Sequence, residues 1–166
     1  MPVSREYFVN KYLEALNEGD AAIFAGAGLS ASSGCVNWKE LLYDIAKELD
    51  LDIDKEQDLV SLAQYYFNKN RSRTKFNDII INAFGNDKRP NNNHKLLSDL
   101  PIATFWTTNY DKLIEDSLRQ KGKRYDVKAT CSSLTRRVKG GDAVIYKMHG
   151  DIEDPDSIVL IRDDYE

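Results

Sequence analysis

Short apolar segments alternate with amphipathic ones along this chain. Three short segments, Ala21 to Phe24, Ile102 to Trp106 and Ala143 to Tyr146, are almost wholly apolar, as is typical of strands buried on both faces of a parallel sheet. Tyr125 to Ala129 and Ser157 to Ile161 are predicted to be two further strands. Because helical segments separate the strands, the pattern predicts an α/β fold with a parallel, doubly wound sheet.

The amphipathic segments carry apolar residues at spacings of three and four, which predicts helices. These helices are expected over Ser4 to Asn17, Trp38 to Leu49, Leu96 to Leu100 and Leu113 to Leu118. Residues from about 50 to 90 show helical periodicity only, so we interpret this stretch as a helical insertion between two strands. Gly122 lies where a C-terminal helix cap is expected.

The composition is that of an ordinary globular protein. Of its 166 residues, 42% are apolar and 30% are charged, and a chain of this length buries a sizeable core without a disulfide or a metal. Cys35 and Cys131 are far apart and form no C-x-x-C pair, so we expect no structural zinc site. Two free cysteines and no signal peptide favour the cytoplasm, and no apolar run approaches the ~20 residues of a membrane span.

The formal charge of −4 is mild, and the basic residues are scattered along the chain. The densest basic stretch runs from Lys121 to Arg124, with Arg136, Arg137 and Lys139 beyond it. Short basic loops of this kind are usually solvated surface. We therefore expect no nucleic-acid binding through this segment.

A glycine-rich turn directly follows the first predicted strand. The residues Gly26-Ala27-Gly28-Leu29-Ser30-Ala31 match the dinucleotide fingerprint G-x-G-x-x-G/A in its required place between strand and helix. A pyrophosphate must approach backbone amides closely, and side chains at the glycines would block it. The glycines can equally serve a tight turn alone. Asp50 and Asp52, near the distance of the usual acidic ribose ligand, lie in a charged loop, which argues against an ordinary dehydrogenase site.

The segment Thr107-Thr108-Asn109-Tyr110-Asp111 begins where the second long apolar strand ends. In open α/β sheets this carboxyl edge is where ligands bind, and Asn109 and Asp111 carry groups that suit a ribose hydroxyl and a carboxamide. The same residues suit a helix start, with Thr108 or Asn109 as the N-cap and Asp111 in the first turn. Both interpretations stay open on position alone.

His149 also follows a strand, and Gly150 after it allows close backbone approach. A histidine there can take up a proton near neutral pH, because its ordinary pKa is about 6.5. The alternative is a structural histidine whose ring nitrogens are satisfied within the fold. The other histidine, His94, follows an asparagine run early in a short helix, and we expect it to be a surface or capping residue.

Taken in order, these motifs resemble the series that defines the sirtuin (SIR2) family. The family pattern is G-A-G-x-S, then S-G, then T-x-N-x-D-x-L, then H-G. The chain carries, in the same order, Gly26-Ala27-Gly28-Leu29-Ser30, Ser33-Gly34, Thr107 to Leu113 and His149-Gly150. The resemblance extends from about Ala21 to Ile161, and the helical insertion is its least typical part.

The chain differs from the sirtuin deacylases in two respects, and both point to a particular group of SIR2-like proteins. Sirtuin deacylases have P-D-F-R after the S-G motif, where this chain has Val36-Asn37-Trp38-Lys39, and they carry a four-cysteine zinc module that is missing here. In both respects the chain resembles the SIR2-like enzymes of prokaryotic anti-phage systems, which hydrolyse NAD to ADP-ribose and nicotinamide. The resemblance therefore implies a Rossmann-like α/β domain with a helical insertion and no zinc module, acting on NAD without a metal.

The resemblance also implies roles for individual residues. His149 would be the general base, Asn109 would hold the ribose hydroxyls or the attacking water, and Asp111 would bind the carboxamide. The remaining residues expected to contact NAD are Gly26, Ala27, Gly28, Ser30 and Asn37.

Two other functions remain open at this point. One is an NAD-dependent protein deacylase or ADP-ribosyltransferase, and the other is a module that senses NAD or ADP-ribose without turnover. We expect residues 1–166 to form one SIR2-like NAD-binding domain that is incomplete at its C-terminus, because the family's second glycine/serine motif is missing. Further domains or partner subunits beyond residue 166 and a homo-oligomer are also expected.

Overall fold

The sheet has four strands, all parallel. The structure is a computed structural model that describes residues 3–85, 87–135 and 140–165. The strands are β1 (Ala22–Ala25), β2 (Thr104–Thr107), β3 (Tyr125–Lys128) and β4 (Ala143–Lys147), in the spatial order β1-β2-β4-β3. In register, Phe24 lies beside Trp106, and Trp106 lies beside Tyr146. The α/β class and the parallel sheet predicted from the sequence are confirmed.

Helices connect these strands. They are α1 (Arg5–Glu18), α2 (Ala27–Ala31), α3 (Trp38–Leu41), α4 (Tyr43–Glu48), α5 (Leu59–Asn70), α6 (Thr74–Phe84), α7 (Asn92–Asp99), α8 (Leu113–Gln120) and α9 (Cys131–Thr135). Helices α5 and α6 lie within the stretch interpreted as a helical insertion. No helix among the described residues is long and apolar enough to cross a membrane.

Helix boundaries follow local capping. The single helix predicted from Trp38 to Leu49 is interrupted at Leu42, whose backbone has φ −93° and ψ 4° while its side chain is fully buried. At the end of α8, Gly122 has a φ of 69°, and its N–H donates to the Arg119 carbonyl oxygen at 2.9 Å. A left-handed residue after the last turn is a common helix stop, so the predicted cap at Gly122 is confirmed.

The fifth strand predicted over Ser157 to Ile161 is wrong. Pro155–Ser157 forms a 3-10 helix, and a second 3-10 helix follows over Arg162–Tyr165. Between them, the N–H of Val159 donates to the His149 carbonyl oxygen at 2.9 Å, without forming a strand. The apolar side chains that suggested a strand are buried instead in the helical core described next.

Two hydrophobic cores hold the domain together. One joins the insertion to α3, α4 and the 158–161 segment, around Leu42, Ile45 and Ile80. The other lies under one face of the sheet, around Phe105, Ile145 and Leu118 of α8. Because the strands are parallel, the loops that follow β1, β2 and β4 emerge at the same edge, above these cores.

Candidate active site

Backbone hydrogen bonds hold the three loops at the carboxyl edge together. The N–H of Thr108 donates to the Ala25 carbonyl oxygen at 3.4 Å, and the N–H of Met148 donates to the Thr107 carbonyl oxygen at 2.8 Å. The loop after β2 is therefore fixed between the turn after β1 and the loop after β4. The sequence motifs on these three loops meet at one place.

The glycine turn between β1 and α2 leaves its backbone accessible. A Cβ added at Gly26 or at Gly28 would meet no atom within 4 Å, and neither glycine has a positive φ. Neither backbone strain nor packing therefore requires glycine at these positions. Close approach of a ligand to the turn remains as a physical reason for them.

Asn109 joins the loop after β2 to the glycine turn. Its Nδ2 donates to the Gly26 carbonyl oxygen at 3.1 Å and to the Ser30 Oγ at 3.1 Å. Its own N–H donates to the Thr107 Oγ1 at 3.0 Å. Both hydrogens of the Asn109 amide are thus used within the protein, so its Oδ1 is the atom left to accept from a hydroxyl or a water. Asn109 does not cap α8.

One carboxylate oxygen of Asp111 stabilises the fold, and the other has no partner among the described residues. Its Oδ1 accepts from the N–H of Leu113 at 3.0 Å, which stabilises the start of α8. Its Oδ2 is buried and has no hydrogen-bond partner among the described residues. The capping role and a ligand-binding role are therefore both available to the same carboxylate.

His149 is half-buried and lines the same cavity as Asp111. Burial lowers its pKa below the ordinary value, so the imidazole is neutral at neutral pH. Its Nδ1 is buried without a partner in the described part of the chain, and its ring contacts Tyr165 edge-on with the centroids 5.8 Å apart. A neutral imidazole with an unpartnered nitrogen can accept a proton.

A cavity of about 80 Å³ connects these groups. Ser30, Asn109, Asp111 and His149 line it together with Ala27, Cys35, Val36, Trp38, Phe84, Thr108 and Tyr110. Burial raises the pKa of the Cys35 thiol to about 11, with a further contribution from the Asp111 carboxylate, so the thiol stays protonated. The cavity is thus mostly apolar with a few convergent polar groups, which is the usual character of a small-molecule site.

Two predicted residues lie elsewhere. Asn37 is exposed, and its Oδ1 accepts from the N–H of Glu40 at 3.0 Å as the N-cap of α3. His94 is a capping residue, as expected, since its Nδ1 accepts from the N–H of Asn91 at 3.3 Å. The expectation of a surface position is wrong for His94, because the side chain is only 2% exposed beneath α7.

The basic residues weighed in the sequence do not line the cavity where the structure describes them. Lys121 pairs with Asp99, and Arg124 lies 3.6 Å from the Asp142 carboxylate. Arg136, Arg137 and Lys139 lie outside the described residues. Within residues 3–85, 87–135 and 140–165, no group of three or more His, Cys, Asp or Glu side chains is placed to hold a metal ion.

Sequence analysis missed a buried ionic cluster directly behind the cavity. Lys147 ends β4 on the face of Ile145, where an apolar residue is expected, and its side chain is 0% exposed. Its ammonium lies 3.1 Å from the carboxylates of both Glu115 and Asp151. A lysine two residues before the H-G motif in an otherwise apolar strand was the available signal.

Comparison with known proteins identifies relatives along the whole chain. The SIR2-like domain family matches residues 103–166. The chain is 53% identical over all 166 residues to the NAD(+) hydrolase ThsA of Cytobacillus dafuensis, and 52% identical over 162 residues (97% of the chain) to that of Bacillus cereus (strain MSX-D12). Defense-associated sirtuin 2 of Bacillus subtilis is 26% identical over 164 residues, or 95% of the chain.

These relatives are longer proteins. The chain spans about a third of both hydrolases (33% and 34%) and 16% of the defence-associated sirtuin. The resemblance inferred from the G-A-G-x-S, T-x-N-x-D and H-G motifs is confirmed by these matches. The chain matches the SIR2-like domain family over residues 103–166 and is similar along its whole length to proteins named NAD(+) hydrolase ThsA.

Proposed function

We propose that this chain contains the catalytic site of an NAD+ hydrolase, which cleaves the bond between nicotinamide and ribose in anti-phage defence. The supporting observation is that unpartnered polar atoms converge on one cavity. The Asp111 Oδ2 and the His149 Nδ1 are buried without partners among the described residues, and the Asn109 Nδ2 already donates to the Gly26 carbonyl oxygen and the Ser30 Oγ. Buried polar groups without partners are rare in folded proteins, and a polar substrate would satisfy these.

The reaction needs no group beyond those of the site and water. The bond between C1′ of the ribose and the pyridinium nitrogen breaks, and its electron pair leaves with a neutral nicotinamide. A water oxygen forms the new bond to C1′, and the proton that it loses passes to the His149 imidazole and then to solvent. The products are ADP-ribose, nicotinamide and one proton.

The other residues orient the substrate. We assign the Asn109 Oδ1 to a ribose hydroxyl or the attacking water, and the Asp111 Oδ2 to the carboxamide N–H of the nicotinamide. Gly26, Ala27, Gly28 and Ser30 would contact the phosphates and the ribose, and Asn37, at the surface of α3, would contact the substrate from outside the cavity. Correct placement of the reacting groups supplies much of the catalysis in such a site.

The experiment is to incubate the complete protein with NAD alone and to measure free nicotinamide and ADP-ribose. Release of both in equal amounts is the expected result. Release that begins only when an acetylated peptide is added would establish a deacylase instead. Binding of NAD without any release would establish a sensing module.

The proposal also concerns the oligomeric state, the further domains and the cellular location of the protein. We infer that residues 1–166, with the insertion at about 50–90, form one NAD-binding domain of a homo-oligomer that carries further domains or partner subunits. The free cysteines Cys35 and Cys131 suit a reducing compartment, and we propose the cytoplasm as the location of the enzyme. Pairing of Lys121 and Arg124 with carboxylates supports the expectation that this segment does not bind nucleic acid.

A further inference from the structure

Lys147 joins the two loops that carry the proposed catalytic groups. Its ammonium donates to the carbonyl oxygens of Tyr110 and Asp111 at 3.0 and 2.7 Å, and also to the Glu115 Oε1. The two carbonyls lie in the loop of Asn109, and Glu115 lies in the first turn of α8 that follows this loop. Each bond therefore reaches from β4 to the segment after β2.

The same ammonium fixes the loop after β4. Asp151 lies 3.1 Å from the Lys147 Nζ, and its Oδ1 accepts from the N–H of Glu153 at 2.9 Å. The N–H of Asp151 donates to the Ser157 Oγ at 2.9 Å. His149 lies between Lys147 and Asp151 in the chain, so both ends of the short segment that carries the imidazole are held.

Stability alone does not account for a lysine at this position. The side chain points into the row of Ile145 beneath the sheet, and an apolar residue in place of a buried ion pair is often neutral or stabilising. Burial by itself lowers the pKa of Lys147. The Glu115 and Asp151 carboxylates outweigh this and raise that pKa overall, so the ammonium stays charged. Burial raises the pKa of Glu115, and the pairing with Lys147 only partly offsets this.

We propose that Lys147 is a positioning residue for NAD cleavage, which holds the loop of Asn109 and Asp111 in register with the loop of His149. This proposal rests on the proposed function. Lys147 does not touch the cavity, so it acts only through the backbone carbonyls and carboxylates that it binds. Misplacement of a reacting group by about 1 Å can cost about 100-fold in rate, which is the scale of the effect expected.

The test compares two matched double variants in the complete protein. Lys147→Met/Glu115→Gln removes the ammonium and neutralises one partner without changing that partner's shape. The control, Lys128→Met/Asp126→Asn, does the same to a buried ion pair of 2.6 Å on β3, whose side chains are 7% and 9% exposed. Lys128 bonds the Ser133 carbonyl oxygen, in α9, and neither residue of this pair lines the cavity.

The readouts are steady-state nicotinamide release and hydrogen exchange followed by peptide. In the Lys147 double variant we expect kcat to fall about 100-fold, while KM for NAD rises by a smaller factor, because the glycine turn is intact and only the loop of Asn109 and Asp111 is loosened. Exchange should rise in peptides covering 108–115 and 148–152 and nowhere else. The Lys128 double variant should keep kcat within about threefold of the unmodified protein.

Three results would overturn the proposal: an unchanged kcat in the Lys147 double variant, an equal loss in the Lys128 double variant, or exchange that rises uniformly along the chain. If the unmodified protein releases no nicotinamide, the proposed function fails. The exchange pattern then decides alone whether Lys147 fixes the two loops.

Discussion

Each of the two histidines has one buried ring nitrogen without a partner among the described residues, Nε2 in His94 and Nδ1 in His149, so their surroundings distinguish the structural residue from the reactive one. Burial lowers the pKa of both His94 and His149, and both are neutral at neutral pH. The Nδ1 of His94 is occupied by the N–H of Asn91, whereas the Nδ1 of His149 has no partner among the described residues. Only His149 lines the cavity.

We therefore predict that alanine in place of His149 mainly lowers the activity of the complete protein, whereas alanine in place of His94 mainly lowers its stability. His149→Ala should lower nicotinamide release by about 10²–10⁴-fold, the usual cost of losing a general base, and shift the melting temperature by only a few degrees. His94→Ala should lower the free energy of unfolding by about 1–2 kcal/mol, because it removes a buried capping partner. Enzyme assays and thermal melts measure both. Turnover retained by His149→Ala would exclude its role as the base.

The lowered pKa of His149 sets the expected pH dependence. The imidazole accepts a proton only when neutral, so activity is full above its pKa and falls as the pH drops through that pKa. Because burial places this value below the ordinary one of about 6.5, the midpoint of the decline in kcat/KM should lie below pH 6.5. A pH profile of nicotinamide release checks this. A midpoint above pH 6.5 would contradict the assignment.

At the scale of elements, two glycines at the carboxyl edge have opposite roles. Gly150 has a φ of 89°, and a Cβ there would lie 2.2 Å from the Ser157 carbonyl oxygen, so the loop after β4 requires glycine for its own folding. Gly28 lies in helix α2, where an added Cβ would meet no atom within 4 Å, so the fold itself does not require glycine there.

Alanine substitutions at Gly150 and at Gly28 distinguish a glycine needed for folding from one needed for NAD binding. Gly150→Ala should unfold or strongly destabilise the protein, because the strain and the clash both fall on backbone. Gly28→Ala should leave stability unchanged or raise it by up to about 1 kcal/mol, since alanine favours the helix, yet it should raise KM for NAD by obstructing the turn. Chemical denaturation and NAD kinetics test both. An unchanged KM in Gly28→Ala would show that NAD does not approach this turn.

The sequence predicted elements best where one physical cause dominated. The apolar runs of β1, β2 and β4 and the cap at Gly122 follow from burial and from backbone conformation alone. The segment Ser157 to Ile161 was misassigned because residues that face a helical core and residues of a buried strand give the same apolar run. Its place beside Tyr110 depends on the insertion helices, which no local pattern reveals.

The position of the candidate site was predictable from the sequence, but the atoms that remain free in it were not. The motifs placed Asn109, Asp111 and His149 at one edge, because parallel strands end together. Which atoms remain free is set by contacts between residues far apart in the sequence, such as the bond from Asn109 to the Gly26 carbonyl. The Lys147 cluster escaped prediction for the same reason, since its partners lie in three different segments.

At the scale of the molecule, one face of the sheet has no cover among the described residues. Phe24 is 67% exposed and Trp106 is 37% exposed, and the rings of Trp106 and Tyr146 stack on this face with centroids 4.1 Å apart. Parallel sheets are almost always covered on both faces, because their apolar side chains alternate across the sheet. The curated relatives are about three times as long as this chain, which leaves ample polypeptide to cover the face.

The resulting prediction concerns Phe24 in a protein of the relatives' length. If further polypeptide packs on this face, Phe24→Ser should lower the free energy of unfolding by about 2–4 kcal/mol, the range for truncating a large buried apolar side chain. Leu96→Ser is the control, since Leu96 is comparably exposed at 63% but lies on α7, away from the sheet; a surface change of this kind usually stays within about 0.5 kcal/mol. Denaturant unfolding followed by fluorescence measures both. Equal, small effects would show that the aromatic face stays in contact with water.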